Sequence, residues 1–237
     1  MAKKIPNTMA RNLLITTFGK YNHLAEWING DTSDFDIALI NYDGHQSPIV
    51  PSTYYGIMPT FKYEGIARML TKRNSLMDYD YFFMPDEDIL INADGINAIF
   101  AQMRLHNLDL AQPSVEESKT SFLSWRIFKH NPAKPDIINT DFIECMCPVF
   151  SRKALELCLP IFPKSRSAYG LDLVWPKLIG NNGNNIAIIN NIVVKHTRPV
   201  GKGELYKLLA KQGVVPDVEM HKLIKEYDIK FEAKAHN

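Results

Sequence analysis

The chain of 237 residues holds only three cysteines, Cys145, Cys147 and Cys158, without the CxxC spacing of a zinc or redox site. An odd count excludes a framework in which every cysteine is paired, and no nearby histidine completes a zinc set. Buried reduced thiols are the expectation. Long apolar runs are missing too: no segment approaches the ~20 apolar residues a membrane helix needs. The start, MAKKIPNTMARNLLITTF, has basic residues, but Leu13 to Phe18 is too short for a leader core and runs into Gly19. The expectation is a cytoplasmic protein with no transmembrane segment. An excess of one charge is also lacking, because 27 Lys and Arg against 26 Asp and Glu leave +1. That balance gives no field for nucleic acid or an anionic membrane surface, so no nucleic acid partner is expected.

What is present is an ordinary globular composition, 46% hydrophobic and 22% charged, with enough length for one full core. Apolar runs alternate with amphipathic stretches, which predicts an α/β layer arrangement. Strands are predicted at 12–19, 35–44, 79–84, 108–114, 142–151 and 186–196. Helices are predicted at 20–29, 60–77, 94–106, 152–162 and 169–180, with Asp94 as the N-cap of the third. Residues 115–140, with Pro132 and Pro135, read as a long loop. The chain divides into a domain over 1–203 and a charged, helical C-terminal appendage over 204–237.

The stretch YDYFFMPDEDILIN (79–92) carries the chemistry. An apolar run ends at Asp86, Glu87 and Asp88, and an unpaired buried carboxylate costs several kcal/mol. In an extended segment Asp86 and Asp88 share a side while Glu87 points away as a structural residue. Two convergent carboxylates repel unless a cation intervenes, and hard oxygen ligands suit Mg²⁺ or Mn²⁺. Ligands of open α/β sheets bind beyond the carboxyl ends of the strands. One strand ends there, the last ends at His196, and the first ends near Thr16, Thr17 and Gly19. An imidazole would tip the metal preference towards Mn²⁺. A solvated turn and a hydrogen-bonded surface histidine are the plainer alternatives. Basic residues over 60–77 (Lys62, Arg68, Lys72 and Arg73) are candidates for phosphate contacts, with a solvated face as the alternative. Glu144 interrupts the apolar run FIECMCPVF, where it is either a salt-bridge partner or a catalytic or acceptor-binding carboxylate. Asp172 is a general base or a helix N-cap. Trp125, Arg126 and Trp175 could stack on a sugar or a base.

The set NYDG (41–44), YDYFFMPDEDI (79–89), LAQPS (110–114), FIECMCPVFSRKAL (142–155), YGLDLVWP (169–176) and VVKHTRPVG (193–201) resembles domain-of-unknown-function family 707. More broadly, a strand ending in DxD followed by a late strand ending in His resembles the GT-A class of nucleotide-sugar glycosyltransferases. The resemblance spans residues 12 to about 201. It implies a three-layer α/β/α, Rossmann-like domain with a mostly parallel mixed sheet. It implies Asp86, Asp88 and His196 as ligands of Mn²⁺ or Mg²⁺, with Asp86 also near the ribose. It implies Asp172 as catalytic base, with Glu144 beside it, and Thr16, Thr17, Gly19 and Asp43 against the nucleotide, while Lys62 and Arg68 add donor contacts. The donor implied is a nucleotide sugar, a UDP-sugar foremost, and the acceptor a glycan or glycolipid. A phosphatase of the haloacid-dehalogenase type also uses a strand ending in DxD, but its motif is N-terminal and carries Thr or Val where Leu90 stands. A non-catalytic binding module of the same fold is the remaining alternative.

Overall fold

The computed structural model describes residues 12–30, 33–45, 52–199, 201, 204–230 and 235–236. The basic N-terminal stretch over 1–11 and the expected domain boundary at 203 lie outside them. The elements in chain order are β1 (Asn12–Phe18), α1 (Leu24–Trp27), β2 (Asp36–Asn41), β3 (Tyr54–Ile57), α2 (Lys62–Lys72), β4 (Tyr81–Phe83), β5 (Ile89–Leu90) and α3 (Ala93–Leu105). There follow β6 (Leu110–Val115), β7 (Ile137–Thr140), β8 (Val149–Ser151), α4 (Arg152–Cys158), α5 (Leu171–Ile179), β9 (Ile186–His196), α6 (Glu204–Lys211), α7 (Pro216–Glu226) and β10 (Ala235–His236).

One sheet runs β10-β7-β9-β6-β8-β4-β1-β2-β3, with β5 paired to β9 off this path. β1 is parallel to β2 and β4, β2 to β3, and β6 to β9. β8 runs against both β4 and β6, so those two share a direction and the sheet is mostly parallel with reversed members. Every residue of β1 and of β6 is buried, as expected of strands covered on both faces. Polar residues inside them are paired: Asn12 donates to the Asp34 carbonyl at 2.9 Å, and Ser114 donates to the carbonyls of Asn190 and Ile192. Pro113 cannot donate to a ladder, and the β6–β9 register shifts directly after it. That irregularity sets the course of β9 towards His196.

Several boundaries differ from the sequence reading. The helix over 20–29 shrinks to the single turn of α1. Asn92, not Asp94, caps α3, accepting from Gly95 N. Most of 142–151 is irregular, with a turn at 145–146 and only Val149–Ser151 in strand, because Pro148 interrupts the ladder there. Cys145 and Cys147 therefore do not share a strand face. All three cysteines are free thiols. The stretch over 115–140 ends in β7, and β3 forms where no strand is predicted. Among the described residues no helix is long and apolar enough to cross a membrane.

The C-terminal helices are not detached. Glu219 of α7 accepts from Ser165, from both Ser167 N and Oγ, and from Arg166 N, and Lys177 of α5 donates to the carbonyls of Tyr227 and Asp228. Gly170, at φ +86°, starts α5 in a left-handed conformation. A Cβ there would stand 2.9 Å from the Met220 Cα, a backbone atom of α7. Gly170→Ala should therefore cost about 1–3 kcal/mol from strain and close approach. Thermal melting is expected to show a Tm lower by roughly 3–10 °C; an unchanged Tm would mean that α7 does not rest on this turn.

Candidate active site

The carboxyl ends of β1, β2 and β4 lie side by side, and the β5–β9 pairing, Ile89 with His196, draws the end of β9 to the same place. A cleft of about 1230 Å³ opens there, with Thr17, Tyr42, Asp43, Lys62, Asp86, Glu87, Asp88, Glu144, Asp172, His196 and Arg198 among its walls.

β4 stops at Phe83, since Pro85 has no amide to give a ladder. The chain then turns: Asp86 N donates to the Met146 carbonyl at 2.7 Å and Ile89 N to the Asp86 carbonyl at 3.1 Å. Side chains in a turn do not alternate, so Glu87 is not directed away from its neighbours as the extended reading requires. It is buried at the cleft, where it accepts from Gly19 N, from the Tyr42 hydroxyl at 2.7 Å and from Arg198 Nη2 at 2.7 Å. Arg198 Nε donates to Asp88 Oδ2 at 2.8 Å. Burial alone would raise the Asp88 carboxyl, but His196 and Arg198 outweigh it and hold the group below its ordinary value. Burial would conversely lower His196, and Asp88 raises it. Lys62 Nζ donates to Asp86 Oδ1 at 2.6 Å and to the carbonyls of Cys145 and Met146. Arg198 and Tyr42 were not singled out in the sequence, although Arg198 follows His196 by two residues and supplies the cation that three acids require.

A divalent cation can be tested against these atoms. Asp88 Oδ1 is buried and has no hydrogen-bond partner. His196 donates from Nδ1 to the Phe122 carbonyl at 2.9 Å, which leaves Nε2 as the ligating nitrogen, 3.5 Å from Asp88 Oδ2. These two residues fit a hard cation that keeps other oxygens from water and substrate. Asp86 is instead engaged by Lys62. Among the described residues no group of three His, Cys, Asp or Glu side chains is arranged to hold a metal ion.

Of the nucleotide-side candidates, Thr17 and Asp43 line the cleft. Asp43 also accepts from Lys20 N at 2.9 Å, fixing the loop after β1. Thr16 is fully buried with its hydroxyl on the Pro85 carbonyl, so it holds the turn rather than the cleft wall. Gly19 lies against the Tyr42 ring, where an added Cβ would come within 2.6 Å. Arg68 is a correction. Six residues beyond Lys62, it is absent from the walls of the cleft, and its guanidinium is taken up by Glu64, a wall residue one turn earlier, at 3.0 Å. Arg73 stacks over the Tyr54 ring. Trp175 is also a correction, being fully buried against Tyr63, Phe150 and Phe162. Trp125 lines the cleft.

No protein-family model matches the sequence, and no curated protein matches it. Among solved structures, S. aureus TarS 1-349 in complex with UDP aligns over 94% of this chain and 67% of that one, with a TM-score of 0.52 and 10% identity. S. aureus TarS 1-349 in complex with UDP-GlcNAc aligns over 94% and 68%, again with a TM-score of 0.52 and 10% identity. The fold is GT-A-like.

Two further carboxylates stand in this cleft. Asp172 lies in the first turn of α5, where Leu173 N donates to its Oδ1 at 3.0 Å. The N-cap is Gly170, so the cap alternative for Asp172 does not apply. Burial pushes Asp172 up to about 7, against backbone hydrogen bonds that favour its charge. Burial likewise pushes Glu144 up to about 7, with Asp172 adding like-charge repulsion. Both folded values lie above those of the unfolded chain, so the folded state holds more protons. Stability is then fully present below about pH 4 and is lost as the pH rises through 7. Glu144→Gln should leave Tm near pH 5 unchanged and raise it at pH 8 by on the order of 5 °C. Equal shifts at both pH values in a melting series would contradict a protonated Glu144.

Proposed function

We propose that the protein is a nucleotide-sugar glycosyltransferase. The observation that carries the reading is the cluster at the ends of β4 and β9. There, Asp86 and Asp88 meet Lys62 and Arg198 beside the unpartnered Asp88 Oδ1, on a GT-A-like fold. Two half-buried cations at one cleft suit a diphosphate. Lys62 and Arg198 would bind the donor phosphates, and they would stabilise the charge that grows on the leaving nucleoside diphosphate more than the charge of the ground state. Thr17, Tyr42 and Asp43 would face the nucleoside at the ends of β1 and β2. Asp88 and His196 would hold Mn²⁺ or Mg²⁺, which when bound supplies Lewis-acid charge to the diphosphate. The complexes of TarS with UDP and UDP-GlcNAc support a UDP-sugar as the first donor class to examine.

On the acceptor side, Asp172 would take the proton of an attacking hydroxyl, whose oxygen then bonds the anomeric carbon as the diphosphate departs. A carboxylate at about 7 suits that work, since a general base is most effective when its pKa lies near the operating pH. Glu144, kept protonated below neutrality by the same burial, would hold the acceptor hydroxyl in place. A glycan or glycolipid hydroxyl is the acceptor this arrangement serves.

Isothermal titration of UDP-, GDP- and other nucleotide sugars, with and without Mn²⁺, tests the reading. We expect metal-dependent binding of a nucleotide sugar, lost on chelation and in Asp88→Asn. Asp172→Asn should retain donor binding and lower transfer about 10²–10⁴-fold. Absence of any nucleotide binding, with Asp88→Asn indistinguishable from the parent, would remove the proposal.

A further inference from the structure

Resting on the transferase reading, the far wall of the cleft narrows the acceptor. Most large hydrophobic side chains that remain exposed are scattered, but three converge here: Trp125 at 40%, Leu205 at 40% and Leu208 at 37% exposure all line the cleft. Trp125 is held edge-on by Phe142, with ring centroids 5.2 Å apart, so its position is fixed by packing. Leu205 and Leu208 lie three residues apart on α6 and so project from one side of that helix, whose Leu209 is buried. Lys207 and Lys211, four residues apart on the same helix, also line the cleft. Tyr206 fixes α6 beside the base, because its hydroxyl lies 3.1 Å from that of Tyr169, three residues before Asp172.

A sugar ring could stack on Trp125 alone, but it has no need of two leucines beside it, and exposed apolar groups gathered at a cleft mark a ligand. We infer that the acceptor is an anionic amphiphile: an apolar chain lies on Trp125, Leu205 and Leu208, a negatively charged group meets Lys207 and Lys211, and its hydroxyl is presented to Asp172. The C-terminal helix α6 is then the part of the chain that selects the acceptor. The donor cluster lies on other elements, at the ends of β4 and β9.

Tryptophan fluorescence reads this directly. Trp27 and Trp175 are fully buried, so a change in emission on ligand binding reports Trp125. The probes are decyl phosphate below its micelle-forming concentration, neutral decyl glucoside and inorganic phosphate, each added to the full chain. Decyl phosphate should give a saturable blue shift at concentrations about tenfold lower than decyl glucoside, and inorganic phosphate none. The double variant Leu205→Ala, Leu208→Ala should weaken both alkyl ligands about tenfold. Lys207→Ala, Lys211→Ala should weaken decyl phosphate alone. These side chains are at the surface, and a matching melting curve verifies that each variant folds. Equal binding of the two alkyl ligands overturns the inference, as does decyl phosphate binding that ignores the leucine variants. UDP binding, titrated on the same samples, separates the two levels: loss of the amphiphile with UDP retained sinks the acceptor assignment alone, whereas no UDP binding in the parent removes the transferase reading beneath it.

Discussion

Arg198 spans Glu87 and Asp88, at 2.7 and 2.8 Å, and the rest of the site is arranged around that double ion pair. Two consecutive acids, Glu87 and Asp88, can be buried at a sheet end only if cations and donors meet them, and removing one partner of such a pair leaves charge uncompensated at a cost of about 3–5 kcal/mol. The partners come from every neighbouring strand end. Gly19 after β1 and Tyr42 after β2 reach Glu87, while His196 at the end of β9 reaches Asp88. The Asp88 carbonyl also accepts from Thr197 N and Oγ1. The interaction that permits the acids to be buried is therefore also the one that closes the sheet around the cleft.

The same cleft sorts its carboxyl groups by environment. Asp88 gains His196 and Arg198 as partners and is held below its ordinary value, whereas burial prevails at Glu144 and Asp172 and pushes both up to about 7. Separation of this kind is how one pocket provides fixed negative charge at one end and a proton acceptor at the other. The two ends belong to different parts of the chain. Asp88 follows β4 on the strand side, while Asp172 belongs to a helix whose start is braced by the C-terminal segment.

That bracing depends on Glu219, one carboxylate answering four donors from residues 165–167, and on the close contact of α7 with Gly170. Without α7 the loop before Asp172 would lose those acceptors. The C-terminal helices complete the wall of the cleft, which is why their amphipathic pattern, read alone, gave helices but not their place.

The alternation of apolar runs was enough to predict an α/β layer arrangement, because strands buried on both faces are rich in apolar residues, whereas the mostly parallel order of the sheet was implied only by the resemblance to the GT-A class. β1 and β6 are buried along their whole length, and β9 is buried over its first five residues. The types of residue at strand ends likewise pointed to Asp86, Asp88 and His196, since charge beside a buried run needs a reason that local sequence makes visible, while Asp172 stood at the start of a predicted helix. Direction and partnership were not legible. The turn after Pro85 brings Glu87 to the cleft against the period-two rule, Arg68 is taken up by Glu64 one turn back, and Pro148 leaves most of an apolar run outside the strand. Arg198 and Tyr42 become part of the site only because β9 and β2 end beside β4. Composition and periodicity determined which segments are buried and where charge must be met; only the tertiary structure decided which cation meets which acid, because that depends on strand order across more than one hundred residues of chain.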